Sequence, residues 1–578
     1  MNKKKDTKRL KFNVRSAFSA DVLPFVESVS KTYKDIDDSI PIVSYLEKSN
    51  VYKPRNFGKA PPLSYSVIDS VKNIIELTYE DGKKLVYEKV IHLLDAYRVL
   101  RFGEVYPEDK ISKRWTQSDV PFMNNPNNQA YVDIASSFLA SSIHEQFNSP
   151  HFTKFYQSFR AISEKYKYNI TEDISSYRYN NWFWNGYDKG YFTLELREKG
   201  SETLIEEDDM LQLLRPLPEL CGDSSDEDSE DSEDSEDSDT STNKDTESSS
   251  EEETASINSS SVEELAAELN DVKLNSDLES VQDFNCDDTL PTKLIYRHSS
   301  RTKTSNTDTS TESSEFDAYT VHAILKDMPV IVQHTEHMSG NLEDLLDDEE
   351  FEEAWETKWT AWLFQIVIAL YQLQTHLNLV HNDLHTNNIL WKDTDQEYYY
   401  YKLKNSIFKI PTYGKRFVII DFGRATFVFN GVEIASSDFR DGADAEGQYN
   451  FGPWRNRNEP ILRPNPSFDL CRLSCSLTRI LYPRNPVEKV NAEPISRDGK
   501  YIVKETVSPL FNMLWTWVTD TEEINVLEDK DGDEKFPGFD LYQHIALYCK
   551  NAKPEDWIEK PIFQSFRIQT TDAECIQL

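Results

Sequence analysis

Apolar residues in this chain repeat with two different periods. Over Ala130–Phe147 they fall at helical spacing, with Ala130, Ile134, Phe138, Ile143 and Phe147 on one face. Trp355–Leu377 is a longer run of the same kind, Pro466–Leu481 contains another, and Asn341–Leu346 starts a helix. Extended signals lie elsewhere. Phe152–Phe159 is aromatic and strand-like, Pro329–His334 is a short apolar strand, and Arg416–Ile420 is a buried strand. Phe102–Trp115 reads as two short strands joined by a turn at Pro107–Asp109. A strand-bearing segment followed by a helix-rich one predicts an α+β protein of two lobes.

The composition shows where this pattern stops. From Cys221 to Ser260 there are sixteen Asp or Glu against one Lys, in a Ser-Glu-Asp repeat. Such a stretch buries too little apolar surface to offset its ordering entropy, so disorder is expected. Weaker polar bias continues over Ser299–Ser314, with an amphipathic patch at Val262–Leu274 in between. The simplest role is a solvated linker; the alternative is an interaction tail for basic proteins, made more negative by phosphorylation of its serines. The expected organisation is a partly disordered basic extension (1–60), mixed structure (61–220), an acidic insert (221–315), a strand (316–340) and a helical region (341–578).

Charge narrows the partners. The net charge is −38 over 578 residues, which disfavours nucleic acid and anionic membranes. Lys3, Lys4, Lys5, Lys8, Arg9, Lys11 and Arg15 run the other way and read as a solvated tail. The six cysteines form neither a paired framework nor a zinc spacing, which fits a reducing intracellular compartment. Cys471 and Cys475 lie one turn apart, as on a buried helix face. The longest apolar run, Trp362–Leu373, is broken by Gln365 and Gln372 and is too short to span a bilayer.

Two motifs carry chemistry. His381-Asn382-Asp383-Leu384-His385-Thr386-Asn387-Asn388 has the His-x-Asp, then Asn five residues on, of a phosphotransfer catalytic loop. Asp421-Phe422-Gly423 follows directly on an apolar strand, where a magnesium-binding carboxylate belongs. Phosphoryl transfer needs an oriented hydroxyl and a neutralised phosphate, so Asp383 is expected beside the acceptor and Asn388 and Asp421 around Mg2+. His381 is grouped with Asp383 as a brace for the loop.

The stretches SPHFTKFYQSF (Ser149–Phe159), VHNDLHTNNIL (Val380–Leu390), IIDFGRATF (Ile419–Phe427) and GQYNFGPW with NPSFDLCRLSCSL (Gly447–Leu477) make the likeness specific. The chain resembles the eukaryotic-type protein kinase superfamily, and more closely the kinase-like proteins of large nucleocytoplasmic DNA viruses. The resemblance runs from about Arg101 to Leu481. It implies a bilobal protein-kinase-like fold, with the acidic insert inside the first lobe and ATP between the lobes. It also implies a host-cytoplasmic or virion location. By the same likeness Asp469 anchors the catalytic-loop backbone. Phe102-Gly103-Glu104-Val105-Tyr106 resembles the end of a glycine-rich loop, although Arg98 and Leu100 stand where earlier glycines belong. Lys113, with Lys110 as competitor, is then the phosphate-binding lysine, and Asp133, with Gln129 as rival, its acidic partner. Glu336 and Met338 would offer backbone hydrogen bonds to adenine.

Three departures bear on substrate class. Asn382 stands for the usual Arg, His385 for the usual Lys, and no Ala-Pro-Glu follows Asp421-Phe422-Gly423. The resemblance implies phosphorylation of protein serine or threonine, basic proteins included. The alternatives are a pseudokinase scaffold that binds basic partners through the insert, and a small-molecule kinase.

Overall fold

The strand Gly82–His92 (β4) organises the first half of the chain. Its alternation buries Val86 and Glu88 on one side and turns Lys89 to the other. It pairs with Ile74–Tyr79 (β3), which pairs with Ser64–Asp69 (β2), both antiparallel. On its other edge lies the long strand Tyr319–Glu336 (β7), in the register Lys89↔Gln333 and Val86↔Glu336. Beyond β7 come Phe155–Asn169 (β5) and Tyr33–Asp37 (β1), while Phe192–Glu198 (β6) also pairs β7. The result is one seven-stranded sheet, β1-β5-β7-β4-β3-β2 with β6 beside β7.

This computed structural model describes residues 32–37, 62–70, 72–103, 123, 125–198, 203–216, 318–348, 354–429, 431–440, 443–497, 502–528 and 534–578. The basic tail Lys3–Arg15, the acidic insert 221–315, and Val105, Lys110 and Lys113 lie outside them. The fold mixes helices and strands, as the two periods predict. Tyr33–Asp37, within the extension expected to be partly disordered, forms an edge strand. The Tyr33 hydroxyl reaches Glu88 Oε1 at 2.8 Å, so the sheet holds it in place.

After β4 come the short helix Ala96–Phe102 and then helix Gln129–Phe147. Asn128 caps it by accepting from the Ala130 amide, and Asn148 ends it in the left-handed region at φ 53°. Its apolar side joins Phe152, Ile331 and Trp362 in one core, which continues into the C-terminal helices. The other side of the sheet buries Leu77, Val86, Phe159, Phe183, Leu196 and Val332 in a second core.

The C-terminal half is built on helix Trp355–Leu377. Its carbonyl end is closed by the Asn378 amide on Gln374 (3.0 Å) and the Leu379 amide on Leu373 (3.3 Å), with Asn378 at φ 51°. That stop aims the chain straight into Val380–Asn388. Ile389–Asp393 (β9) then pairs antiparallel with Gly340–Asn341 (β8) on one edge and Lys415–Ile419 (β12) on the other, placing Ile389 opposite Ile419. Residues 394–414 leave and return as the hairpin Tyr398–Leu403 (β10) and Ser406–Pro411 (β11). The long separation between Asp383 and Asp421 is therefore a hairpin excursion, and its ends remain adjacent. Helix Phe468–Leu481 is buried along most of its length, including Cys471 and Cys475. Among the described residues no helix is long and apolar enough to cross a membrane.

Candidate functional site

The loop that carries His381, Asn382 and Asp383 is held mainly through its backbone. Asp469, fully buried, accepts from the His381 amide (3.0 Å, Oδ2) and the Asn382 amide (2.9 Å, Oδ1). Burial pushes its carboxyl pKa up, against the pull of those amides. His381 Nε2 lies 2.8 Å from the Ile420 carbonyl, and its Nδ1 accepts from the Asp383 amide at 3.3 Å. A carbonyl only accepts and an amide only donates, so the tautomer with the proton on Nε2 satisfies both. His381 thus braces the loop against the strand end that precedes Asp421, with its ring 5.2 Å from that of Phe422.

Asn382 sits at φ 66°, a left-handed conformation that asparagine tolerates better than most residues. Its side chain fills the space beneath the loop. The amide nitrogen reaches Val380 O (3.1 Å), Arg424 O (3.0 Å) and Thr426 Oγ1 (3.3 Å), and its oxygen accepts from the Tyr449 hydroxyl at 2.8 Å. An arginine could not reproduce that acceptor.

Asp383 is largely shielded from solvent. Its Oδ1 accepts from the Tyr542 hydroxyl at 2.7 Å and its Oδ2 lies 3.6 Å from Arg424 Nη1. Burial opposes the charge, yet Arg424, His385 and Arg472 together hold the carboxyl far below the usual range. Arg424 also reaches Asp438 Oδ2 at 3.2 Å, and burial raises that carboxyl to about 6 despite the arginine. Asn388 spends its amide hydrogens on the Asp383 carbonyl (2.9 Å) and His385 Nε2 (3.1 Å), so its oxygen is the group left for a cation. Burial lowers the His385 pKa to about 4.

Asp421 follows β12 at φ 62°. The Ile420 amide bonds the Asn388 carbonyl at 3.0 Å, which brings the two motifs side by side. Lys89 Nζ lies 2.9 Å from Asp421 Oδ1 and 2.7 Å from Asp133 Oδ2. The other Asp133 oxygen accepts the Phe422 amide at 2.8 Å and a weaker bond from Ser137 at 3.4 Å. Burial works against the ammonium, but the two carboxylates raise its pKa well above the lysine norm. Lys89 correspondingly draws the Asp421 pKa down against its own burial cost. The carboxylate of Asp421 and the amide oxygen of Asn388 are hard oxygen ligands of the kind a magnesium ion takes alongside phosphate and water. Among the described residues no cluster of three His, Cys, Asp or Glu forms a protein-only metal cage.

Of the residues singled out in the sequence, Asp383, His381, Asn388, Asp421 and Asp133 converge here. Gly103 does something else. Ala96–Phe102 is helical, and Gly103 is the left-handed cap at φ 63°, its amide on the Val99 carbonyl at 2.9 Å. A Cβ there would meet the Tyr191 ring at 2.5 Å, so this glycine serves a helix end rather than a phosphate loop. Gln129, the rival to Asp133, caps toward Ser437 through its amide (3.1 Å) instead of facing the lysine. Glu336 has its amide on the Lys154 carbonyl (2.9 Å) and its carboxylate on Lys392 (3.1 Å) and Arg416 (2.8 Å). Its amide is therefore already taken. Met338 keeps a buried side chain, and among the described residues its own amide and carbonyl take no hydrogen bond.

Sequence reasoning missed Lys89, Arg424 and Tyr542. Lys89 did have a signal: Leu85-Val86-Tyr87-Glu88-Lys89-Val90-Ile91 is a strand pattern with a lysine out of phase, just after a Glu80-Asp81-Gly82 turn. Tyr542 had none, since it lies 159 residues from Asp383. Neither the family models scanned nor the curated proteins searched match this chain.

Proposed function

We propose that this chain is an ATP-dependent phosphotransferase with a bilobal protein-kinase-like fold, acting on protein serine or threonine. The observation that carries the reading is Lys89 bridging Asp133 and Asp421, next to Asp383 and Asn388. Lys89, rather than Lys113, is then the phosphate-binding lysine. Its ammonium, fixed by Asp133, is free to turn one donor toward the α- and β-phosphates of ATP. Asp421 and Asn388 would hold Mg2+, which neutralises phosphate charge during transfer. Asp383 stays ionised at neutral pH and accepts the acceptor hydroxyl's hydrogen bond. A carboxylate this acidic works chiefly by orienting the hydroxyl and takes its proton late, which suits a loose transition state. The Asp469, Asn382 and Tyr449 contacts fix the loop without any phosphorylated segment, in keeping with Asn382 replacing arginine.

One observation favours a second reading, a nucleotide-binding scaffold without turnover. The turn between β2 and β3, Ser70–Asn73, contains no glycine, so fewer backbone amides can approach a phosphate closely. Incubating the full chain with γ-labelled ATP, magnesium and a panel of acidic, neutral and basic proteins separates the two. Label on serine or threonine, lost in Asp383→Asn, supports the enzyme; magnesium-dependent ATP binding with no label transfer to any protein supports the scaffold.

A further inference from the structure

The group closest to the Asp383 carboxylate comes from near the C-terminal end of the described chain. Helix Asp540–Tyr548 presents Tyr542, whose hydroxyl donates to Asp383 Oδ1 at 2.7 Å. The ring has four close neighbours. It stacks on Phe539 (5.2 Å between centroids, planes 15° apart), lies 5.8 Å from Phe468, and has the Arg472 and Arg424 guanidinium groups 5.0 and 5.9 Å from its centroid. Phe468 and Arg472 belong to the same helix as the loop anchor Asp469. The loop is thus tied to helix Phe468–Leu481 through Asp469, which holds the His381 and Asn382 amides, and Asp383 itself is tied to helix Asp540–Tyr548 through Tyr542.

We infer that Tyr542 is a positioning residue for Asp383, holding Oδ1 so that Oδ2 is presented to the acceptor hydroxyl. The inference rests on the phosphotransferase reading above. Without the phenol, the carboxylate's nearest strong partner is Arg424, now 3.6 Å from Oδ2. Rotation toward a paired contact with that guanidinium would engage both oxygens and withdraw the acceptor's anchor point. The tyrosine keeps the carboxylate from collapsing onto the arginine while adding no charge. Its pKa is raised to about 12, by burial first, with Arg472 opposing the rise and Asp383 adding to it, so the hydroxyl keeps its proton and donates at neutral pH. A hydroxyl placed here also resembles a bound acceptor, so the contrary idea, that Tyr542 blocks the acceptor's place, makes the opposite prediction.

The test is Tyr542→Phe in the full chain, which keeps the ring and its stacking. The expected result is unchanged magnesium-dependent ATP binding, unchanged KM for ATP and for a protein acceptor, and a kcat lower by roughly tenfold or more, because a small misorientation of a reacting group costs that much. A kcat equal to the parent's overturns the inference, and a higher one shows occlusion instead. A second readout needs no turnover. In protein labelled with [13Cζ]tyrosine, the resonance lost in Tyr542→Phe identifies this phenol, and Asp383→Ala must shift it; an unmoved resonance shows that the tether does not exist in solution. If the parent transfers no phosphate, or Asp383→Asn still transfers it, the phosphotransferase reading fails, and the resonance still decides whether the tether is real.

Discussion

Lys89→Met removes the one cation between two carboxylates. Asp133 is almost fully buried and its Oδ2 sits 2.7 Å from Nζ, while Asp421 Oδ1 is 2.9 Å away on the other side. At an effective dielectric near 20, Coulomb's law gives roughly 6 kcal/mol of gross attraction across the 2.7 Å contact. Much of that is offset by desolvation of the pair, and removing one partner of a buried pair typically costs about 3–5 kcal/mol. We expect the low end, about 3 kcal/mol, because Asp133 keeps the Phe422 amide and Ser137 as donors. Asp421 is nearly half exposed, and its pairing is screened too strongly to add much. The pH dependence has a definite sign. In the parent, the raised lysine pKa contributes stability present below the unfolded value near 10.4 and lost as pH rises through the folded one. The depressed Asp421 pKa contributes stability present above about 3.9 and lost on acidification. Both contributions are therefore intact between about pH 5 and 9. In Lys89→Met, two carboxylates face each other uncompensated, so the destabilisation should shrink as pH falls toward about 5. Thermal unfolding at pH 5 and 8, for Lys89→Met and for Lys89→Met with Asp133→Asn, measures this. The double variant should recover part of the loss at pH 8. A single variant as stable as the parent at both pH values would refute the buried-pair argument.

Asp469→Ala strands two buried amides, each worth about 1–3 kcal/mol, and should lower the melting temperature by several degrees while abolishing turnover. Gly103→Ala places a Cβ against the Tyr191 ring at a left-handed position; it should lower melting temperature yet leave the Kd for ATP within about twofold, whereas a phosphate-loop glycine would show the reverse. Tyr449→Phe removes the donor to Asn382 Oδ1 and should lower stability by about 1–2 kcal/mol in denaturant unfolding, with little change in nucleotide affinity.

Much of this architecture was legible because it is local. Helices Gln129–Phe147 and Trp355–Leu377 follow from apolar spacing and end at Asn148 and Asn378, both in left-handed turns. The loop Val380–Asn388 and Asp421–Gly423 are continuous motifs whose order is their signal. The nucleotide lysine is different: Lys113 lies outside the described residues, and the proposed function gives that role to Lys89. A single glycine at position 103 drew the reading to a hairpin, but Asp95 caps a helix start eight residues earlier and Gly103 is its natural stop. Lys89 is a lone lysine in strand β4, where alternation makes one polar side chain hard to tell from its neighbours. Arg424 and Tyr542 were illegible for another reason: each acts through a contact closed by tertiary packing, between segments 41 and 159 residues apart in the chain.

The most direct measurement is the rate of γ-phosphoryl transfer from ATP in four full-length forms side by side: parent, Lys89→Met, Lys113→Met and Asp383→Asn. If Lys89, Asp133, Asp421 and Asp383 form a phosphotransfer centre, the parent transfers phosphate. Lys89→Met and Asp383→Asn then fall by at least about a hundredfold, the range set by loss of a general-base or phosphate-binding group, and Lys113→Met stays near the parent. Transfer that survives in Lys89→Met and collapses in Lys113→Met would contradict the account.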